Sequence, residues 1–138
     1  MRKVEQLCIK ISSERNKVKE VEKLMLKANK GFGLGDLEYG RMMIAVTELV
    51  MNAIIHGNKE DATKKVCINV EYDKKAMKVV ILDEGGGFSI AELPDPTEIE
   101  RLLDSHGRGD FIAKAMVDKV EYKNSGKGNE FTLTVTKK

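Results

Sequence analysis

At 138 residues and 15.4 kDa the chain has the length of one domain, able to bury roughly two thirds of its unfolded surface without disulfide or metal staples. Its 24 basic and 22 acidic residues nearly cancel, leaving +2, too even a balance for the concentrated basic face that nucleic-acid binding needs. There is no CxxC or metal-ligand spacing around Cys8 and Cys67, no signal-length apolar run at the N-terminus and no run of about 18 uncharged apolar residues, so a reduced, cytoplasmic, non-membrane chain is expected. The most uneven number is 12 glycines against 2 prolines, ten of the glycines falling in four tight clusters. Such clusters mark backbone that turns sharply or approaches something closely.

In chain order, Val4 to Ile11 alternates as an opening strand, with Leu7, Ile9 and Ile11 on one side. Ser12 and Ser13 offer N-caps for a helix running to about Asn29, with Val18, Val21, Met25 and Ala28 at helical spacing; the cluster Gly31 to Gly35 ends it. Asp36 is placed to cap a long second helix that runs to Ile55 or His56 and stops at Gly57-Asn58. Val66 to Tyr72 and Ala76 to Leu82 read as a hairpin joined near Asp73 to Lys75. A long stretch from Ser89 to His106 follows, with a short helix from Thr97, then a helix from Gly109 to Val117 and strands at Lys119 to Lys123 and Phe131 to Thr136. The order predicts one α+β domain over residues 1–138, a two-layer α/β sandwich with a mixed, mostly antiparallel sheet and its helices on one face.

Met42 to Ile55 is 14 residues long and carries a single charge, Glu48, where the chain-wide 33% would give four or five. A helix so poor in charge is expected to be buried on most sides. Arg41, Glu48, Asn52 and His56 line one helical face. An acid and an amide one turn apart suit magnesium-dependent phosphoryl transfer: Mg²⁺ takes few protein ligands, so Asn52 can suffice, and Glu48 can act as general base.

Val79 to Leu82 is an apolar strand that delivers Asp83 at its end, followed by Glu84 and Gly85 to Gly87. An acid there can accept a hydrogen bond from an exocyclic amine such as adenine's, with glycines letting backbone approach the ligand. Gly107-Arg108-Gly109 opens the last helix, where free N–H groups and Arg108 suit phosphate. Neither a P-loop nor a dinucleotide G-x-G-x-x-G fingerprint occurs.

Taken together, Glu48 to Asn58, Asp83 to Phe88, Gly107 to Gly109 with Met116 to Asp118, and Gly128 to Thr132 resemble the N, G1 and G2 boxes of the ATP-binding (Bergerat) fold. That fold is shared by gyrase, the ninety-kilodalton chaperone, histidine kinases and MutL. Within the superfamily the chain looks most like the bacterial anti-sigma-factor serine/threonine kinases, over residues 4 to 136. The resemblance implies ATP and Mg as cofactors, with Asn52 as the Mg²⁺ ligand and Glu48 as the catalytic base. It implies Asp83 at the adenine amine, Gly85 and Gly87 beneath the nucleotide, Ser89 to His106 as a lid, and Gly107, Arg108 and Gly109 at the phosphates. Relatives place a Thr where this chain has Asn129, leaving the second adenine contact between Asn129 and Thr132. Some serine kinases place an Arg just before the G2 glycines, where this chain has Ser105 and His106, leaving the lid arginine between Arg108 and Arg101. The function implied is an anti-sigma factor that sequesters a sigma factor, phosphorylates a Ser of an antagonist protein and can form a homodimer. The alternatives are a non-catalytic ATP-binding module and a detached histidine-kinase-type domain. His56, His106 and the seven methionines read as structure rather than as ligands.

Overall fold

In the computed structural model the chain is described over residues 4–85, 117–124 and 128–137. The strand β1 (Glu5–Ser12) leads through a short 3₁₀ turn at Arg15–Lys17 into α1 (Val18–Phe32) and then α2 (Asp36–Asn52), which continues as a π turn over Ala53–Gly57. The strands β2 (Lys65–Tyr72), β3 (Ala76–Leu82), β4 (Lys119–Asn124) and β5 (Asn129–Thr136) complete the described elements. They form one sheet in the order β1-β2-β3-β5-β4. All four pairings are antiparallel, with Ile9 opposite Ile68, Val70 opposite Val79, Ile81 opposite Phe131 and Tyr122 opposite Phe131. The expectation of an α+β two-layer sandwich holds, with a sheet that is purely antiparallel among the described strands.

Alternation decides which face is covered. Met77, Val79 and Ile81 of β3 are fully buried with Ile68 and Val70 of β2 and Leu133 of β5, against Val21, Met25, Ala28 and Phe32 of α1 and Met42, Val46, Leu49 and Val50 of α2. Helix α1 packs on β1 and β2, and α2 on β3 and β5. At the other face Gln6, Cys8, Asn69, Glu71, Lys78 and Val80 line an open groove of about 460 Å³. Both cysteines are free. Among the described residues no helix is long and apolar enough to cross a membrane.

Several boundaries differ from the sequence expectation, for local reasons. Helix α1 starts at Val18 rather than at the serines, because the Ser13 hydroxyl donates to Lys64 O (2.7 Å) instead of capping. It runs on through Gly31 and ends at Gly33, whose φ of 87° is the left-handed cap that glycine adopts without penalty. The N-cap of α2 is Gly35, so Asp36 is the first helical residue, where its charge still favours the positive helix end. Burial of α2 is less complete than its composition suggests, for Ile44 is 46% exposed on the side away from the sheet. The strand β5 starts two residues early, at Asn129. The expected helices from Thr97 and from Gly109 lie outside the described residues.

Candidate functional site

The site is built at the end of β3. Asp83 continues the inward alternation of Met77, Val79 and Ile81, so its carboxyl turns toward the helix layer and is only 7% exposed. Its backbone N–H extends the ladder by donating to Asn129 O at 3.0 Å. Its Oδ1 accepts from Gly85 N (2.9 Å), Asn129 N (3.0 Å) and Asn129 Nδ2 (3.2 Å), while Oδ2 accepts from Asn129 Nδ2 at 3.3 Å. Oδ1 is therefore heavily used and Oδ2 keeps most of its acceptor capacity.

Oδ2 points at Gly57. A Cβ added at Gly57 would lie 2.0 Å from Oδ2 and 2.5 Å from Cγ, so the carboxyl occupies space that only glycine leaves. A second glycine closes the other side, since a Cβ at Gly128 would come within 1.9 Å of the Asp83 carbonyl oxygen. Burial pushes the Asp83 carboxyl above its ordinary pKa, working against the hydrogen bonds from Asn129 and Gly85 and the positive charge of Lys64. The Lys64 ammonium itself donates to Gly85 O at 3.3 Å.

The end of α2 reaches this point because its last turn widens. Asn58 N donates to Ala53 O, five residues back, at 2.8 Å, and π turns of this kind recur at functional sites. The widened turn sets Gly57 over Asp83 and buries Asn58 completely. Asn58 Nδ2 donates to Ser13 Oγ (2.9 Å) and Lys65 O (3.0 Å), and its Oδ1 accepts from Glu84 N (2.9 Å). The Glu84 carboxylate in turn accepts from Lys65 N. One amide thus joins the end of β1, the end of the helix and the backbone just after Asp83.

Of the residues singled out from sequence, Asp83, Gly85 and Asn129 come together. Glu48 and Asn52 stand one turn apart on α2, both half-buried, with the half-buried His56 beyond them and Arg41 exposed. Thr132 falls on the opposite face of β5 from Asn129: Asn129, Phe131 and Leu133 are buried, and the residues between them are half-buried. Gly87, Gly107, Arg108, Gly109 and Arg101 lie outside the described residues. Sequence reasoning gives Ser13, Gly57, Asn58 and Gly128 no role of their own in the site: it reads Ser13 as a cap, Gly57-Asn58 as a helix stop, and Gly57, Asn58 and Gly128 otherwise only as members of the motif boxes. Their roles are close approaches across the fold, and the only sequence signal was two glycines with a neighbouring Asn.

The residues fit a nucleotide and a hard cation. A buried acid with one underused oxygen, set in a glycine-made cradle, matches an N–H donor. The Asn52 amide oxygen is a hard donor of the type Mg²⁺ accepts. Among the described residues no group of three or more His, Cys, Asp or Glu stands together to cage a metal, so a magnesium ion here would draw most ligands from water and phosphate.

This two-layer sandwich, with an acid at the end of its central strand, is the fold of the histidine kinase-like ATPase domains, and residues 11–135 match that family. The chain is 32% identical over 105 residues to an anti-sigma F factor of Clostridium beijerinckii, covering 73% of this chain and 71% of that protein. An anti-sigma F factor of Bacillus thuringiensis is 35% identical over 100 residues, covering 70% and 68%. The crystal structure of the RsbU and RsbW domains of Rv1364c from Mycobacterium tuberculosis superposes with a TM-score of 0.69 at 17% identity, covering 97% of this chain and 33% of that one, which shows the shared fold. The chain belongs to the anti-sigma-factor kinase family within the histidine kinase-like ATPase superfamily.

Proposed function

We propose that residues 1–138 form one ATP-binding domain that acts in the cytoplasm as an anti-sigma factor, sequestering a sigma factor and transferring the γ-phosphoryl group of Mg-ATP to a serine of an antagonist protein. The observation that carries the nucleotide part is Asp83, a buried acceptor whose carboxyl is seated against Gly57 and whose Oδ2 takes one long hydrogen bond. Asp83 takes the adenine amine, and Gly85 lets backbone pass beneath the base. Asn52 holds the metal, which when bound supplies charge neutralisation at the transferring phosphate. Glu48 accepts the proton of the attacking serine hydroxyl, the chemistry its place one turn before Asn52 allows. On the motif alone, Gly87 is assigned beneath the nucleotide and Gly107, Arg108 and Gly109 to the phosphates, with Asn129 rather than Thr132 on the adenine side of β5. The sigma factor comes from what the anti-sigma F relatives are named for, and the antagonist from the resemblance to the anti-sigma-factor serine/threonine kinases.

The test is transfer of label from γ-labelled Mg-ATP to a candidate antagonist. The wild type is expected to label one serine. Glu48→Gln is expected to bind ATP normally and to lower transfer by roughly 10² to 10⁴, while Asn52→Ala loses magnesium-dependent binding. ATP binding with no labelled product would leave a non-catalytic, partner-sequestering module. Full transfer by Glu48→Gln would remove Glu48 from the assignment.

A further inference from the structure

We propose that Tyr122, on the edge strand β4, is a positioning residue for base selection, acting through Asn129 on Asp83. The inference rests on the reading that Asp83 meets the exocyclic amine of the base. An ionised carboxylate has acceptors only, so the side-chain amide of Asn129 must turn its NH₂ toward Asp83. It does so, with Nδ2 at 3.2 and 3.3 Å from the two carboxylate oxygens. Oδ1 of Asn129 must then face away, and with the residue 1% exposed that oxygen needs a donor inside the protein. The Tyr122 hydroxyl donates to it.

The register explains why this tyrosine reaches. Asn129 lies opposite Asn124, so Tyr122 is its diagonal neighbour on the same sheet face, within reach of a long side chain. Its ring packs on Phe131, with centroids 4.8 Å apart and planes at 55°, which fixes where the hydroxyl points. The amide torsion of an Asn is soft. Tyr122 at one end and Asp83 at the other hold it, and Asn129 holds Oδ1 of Asp83 so that Oδ2 stays turned to Gly57. Selection of a base bearing an amine, over one bearing a carbonyl at the same place, therefore depends on the edge strand.

The experiment measures dissociation constants for Mg-ATP and Mg-ITP, which carries a carbonyl in place of the amine, on the full chain. The wild type is expected to favour ATP. Tyr122→Phe should cut that preference roughly tenfold, by loss of about one hydrogen bond's worth of orientation, with ITP affinity nearly unchanged. Asn129→Ala should do the same, and the double variant should be no worse than Asn129→Ala alone. Equal loss for both nucleotides, an unchanged ratio, or additive effects in the double variant each overturn the proposal. A wild type that binds both nucleotides equally overturns the reading of Asp83, and the proposal with it. If Tyr122→Phe does not fold, the Asn129 side-chain amide protons of the wild type decide by NMR. They should exchange slowly and shift with ATP but not with ITP, and insensitivity to ATP overturns the role.

Discussion

Oδ1 of Asp83 takes three donors and Oδ2 one long one, so the carboxyl is held in place while paying the desolvation cost that raises its pKa. Asp83→Asn keeps an oxygen for Gly85 and the Asn129 backbone and removes a buried charge. It should melt at or above the wild-type temperature at neutral pH and lose ATP binding, as site residues that cost stability do. The pH dependence has a definite sign. Between the unfolded value of about 3.9 and its raised native value, Asp83 binds its proton more tightly when folded. Its contribution therefore favours the fold at low pH and is lost as pH rises through the native value. The ionised form is the stronger acceptor for a base amine, so the ATP-over-ITP preference should fall as pH falls through that same value, opposite in direction to the stability term. A preference flat with pH while the protein stays folded counts against Asp83 as the acceptor. Gly57→Ala, with a Cβ 2.0 Å from Oδ2, should destabilise by about 1–3 kcal/mol and weaken ATP binding in parallel, read by thermal melting and titration. Asp83 was legible because an apolar strand ending in an acid and glycines is a local pattern. Gly57 and Gly128 were not, since nothing in a sequence shows which distant atoms, the Asp83 carboxyl at one and the Asp83 backbone at the other, come to rest against a glycine.

At the scale of elements, periodicity revealed both helices, the β2–β3 hairpin and the closing pair of strands; it set β3 at its observed bounds and misplaced the starts of α1 and β5. Ser13 has the chemistry of a cap, yet its hydroxyl goes to Lys64 O and to Asn58, contacts across 51 and 45 residues that no local rule contains. The π turn has no periodic signature at all, because one widened turn leaves the apolar pattern of Met42 to Ile55 unchanged. Helix α1 offers a test in which local and tertiary rules disagree. An interior helical glycine is ordinarily improved by alanine, by about 0.5–1 kcal/mol. At Gly31 a Cβ would fall 1.9 Å from the Tyr72 hydroxyl oxygen and 2.8 Å from Cζ, and the Tyr72 ring is itself packed against Phe32 at 5.8 Å. Gly31→Ala is therefore expected to destabilise, with denaturant melts showing a loss of about 1–3 kcal/mol. A gain would mean that Tyr72 swings aside freely.

Across the whole molecule, the strand order puts β3, which runs into Asp83, next to β5, which begins with Asn129, and the widened end of α2 sets Gly57 against Asp83. Hydropathy foretold the layers but not this convergence, because strand order across the long 86–116 connection is not a local property. The convergence has a thermodynamic consequence. Asn58 links the end of β1, the helix end, Lys65 at the start of β2 and the backbone after Asp83 through hydrogen bonds of 2.9 to 3.0 Å, so a ligand at Asp83 bears on elements from both layers and should stabilise the fold as a unit. At an ATP concentration about a hundred times the dissociation constant, the native state gains about 2.7 kcal/mol, a rise of roughly 8 °C for a domain of this size. Asp83→Asn should show none of that rise, since it removes the contact. Asn58→Ala should melt lower without ligand, by about 2–3 kcal/mol for a buried amide network left with unsatisfied groups, and should recover part of the loss when ATP is added, because the nucleotide contact survives while its support is loosened. Differential scanning calorimetry of the three proteins with and without Mg-ATP separates the cases. An Asn58→Ala variant that melts like the wild type would show that the helix end and Asp83 are held together by packing alone.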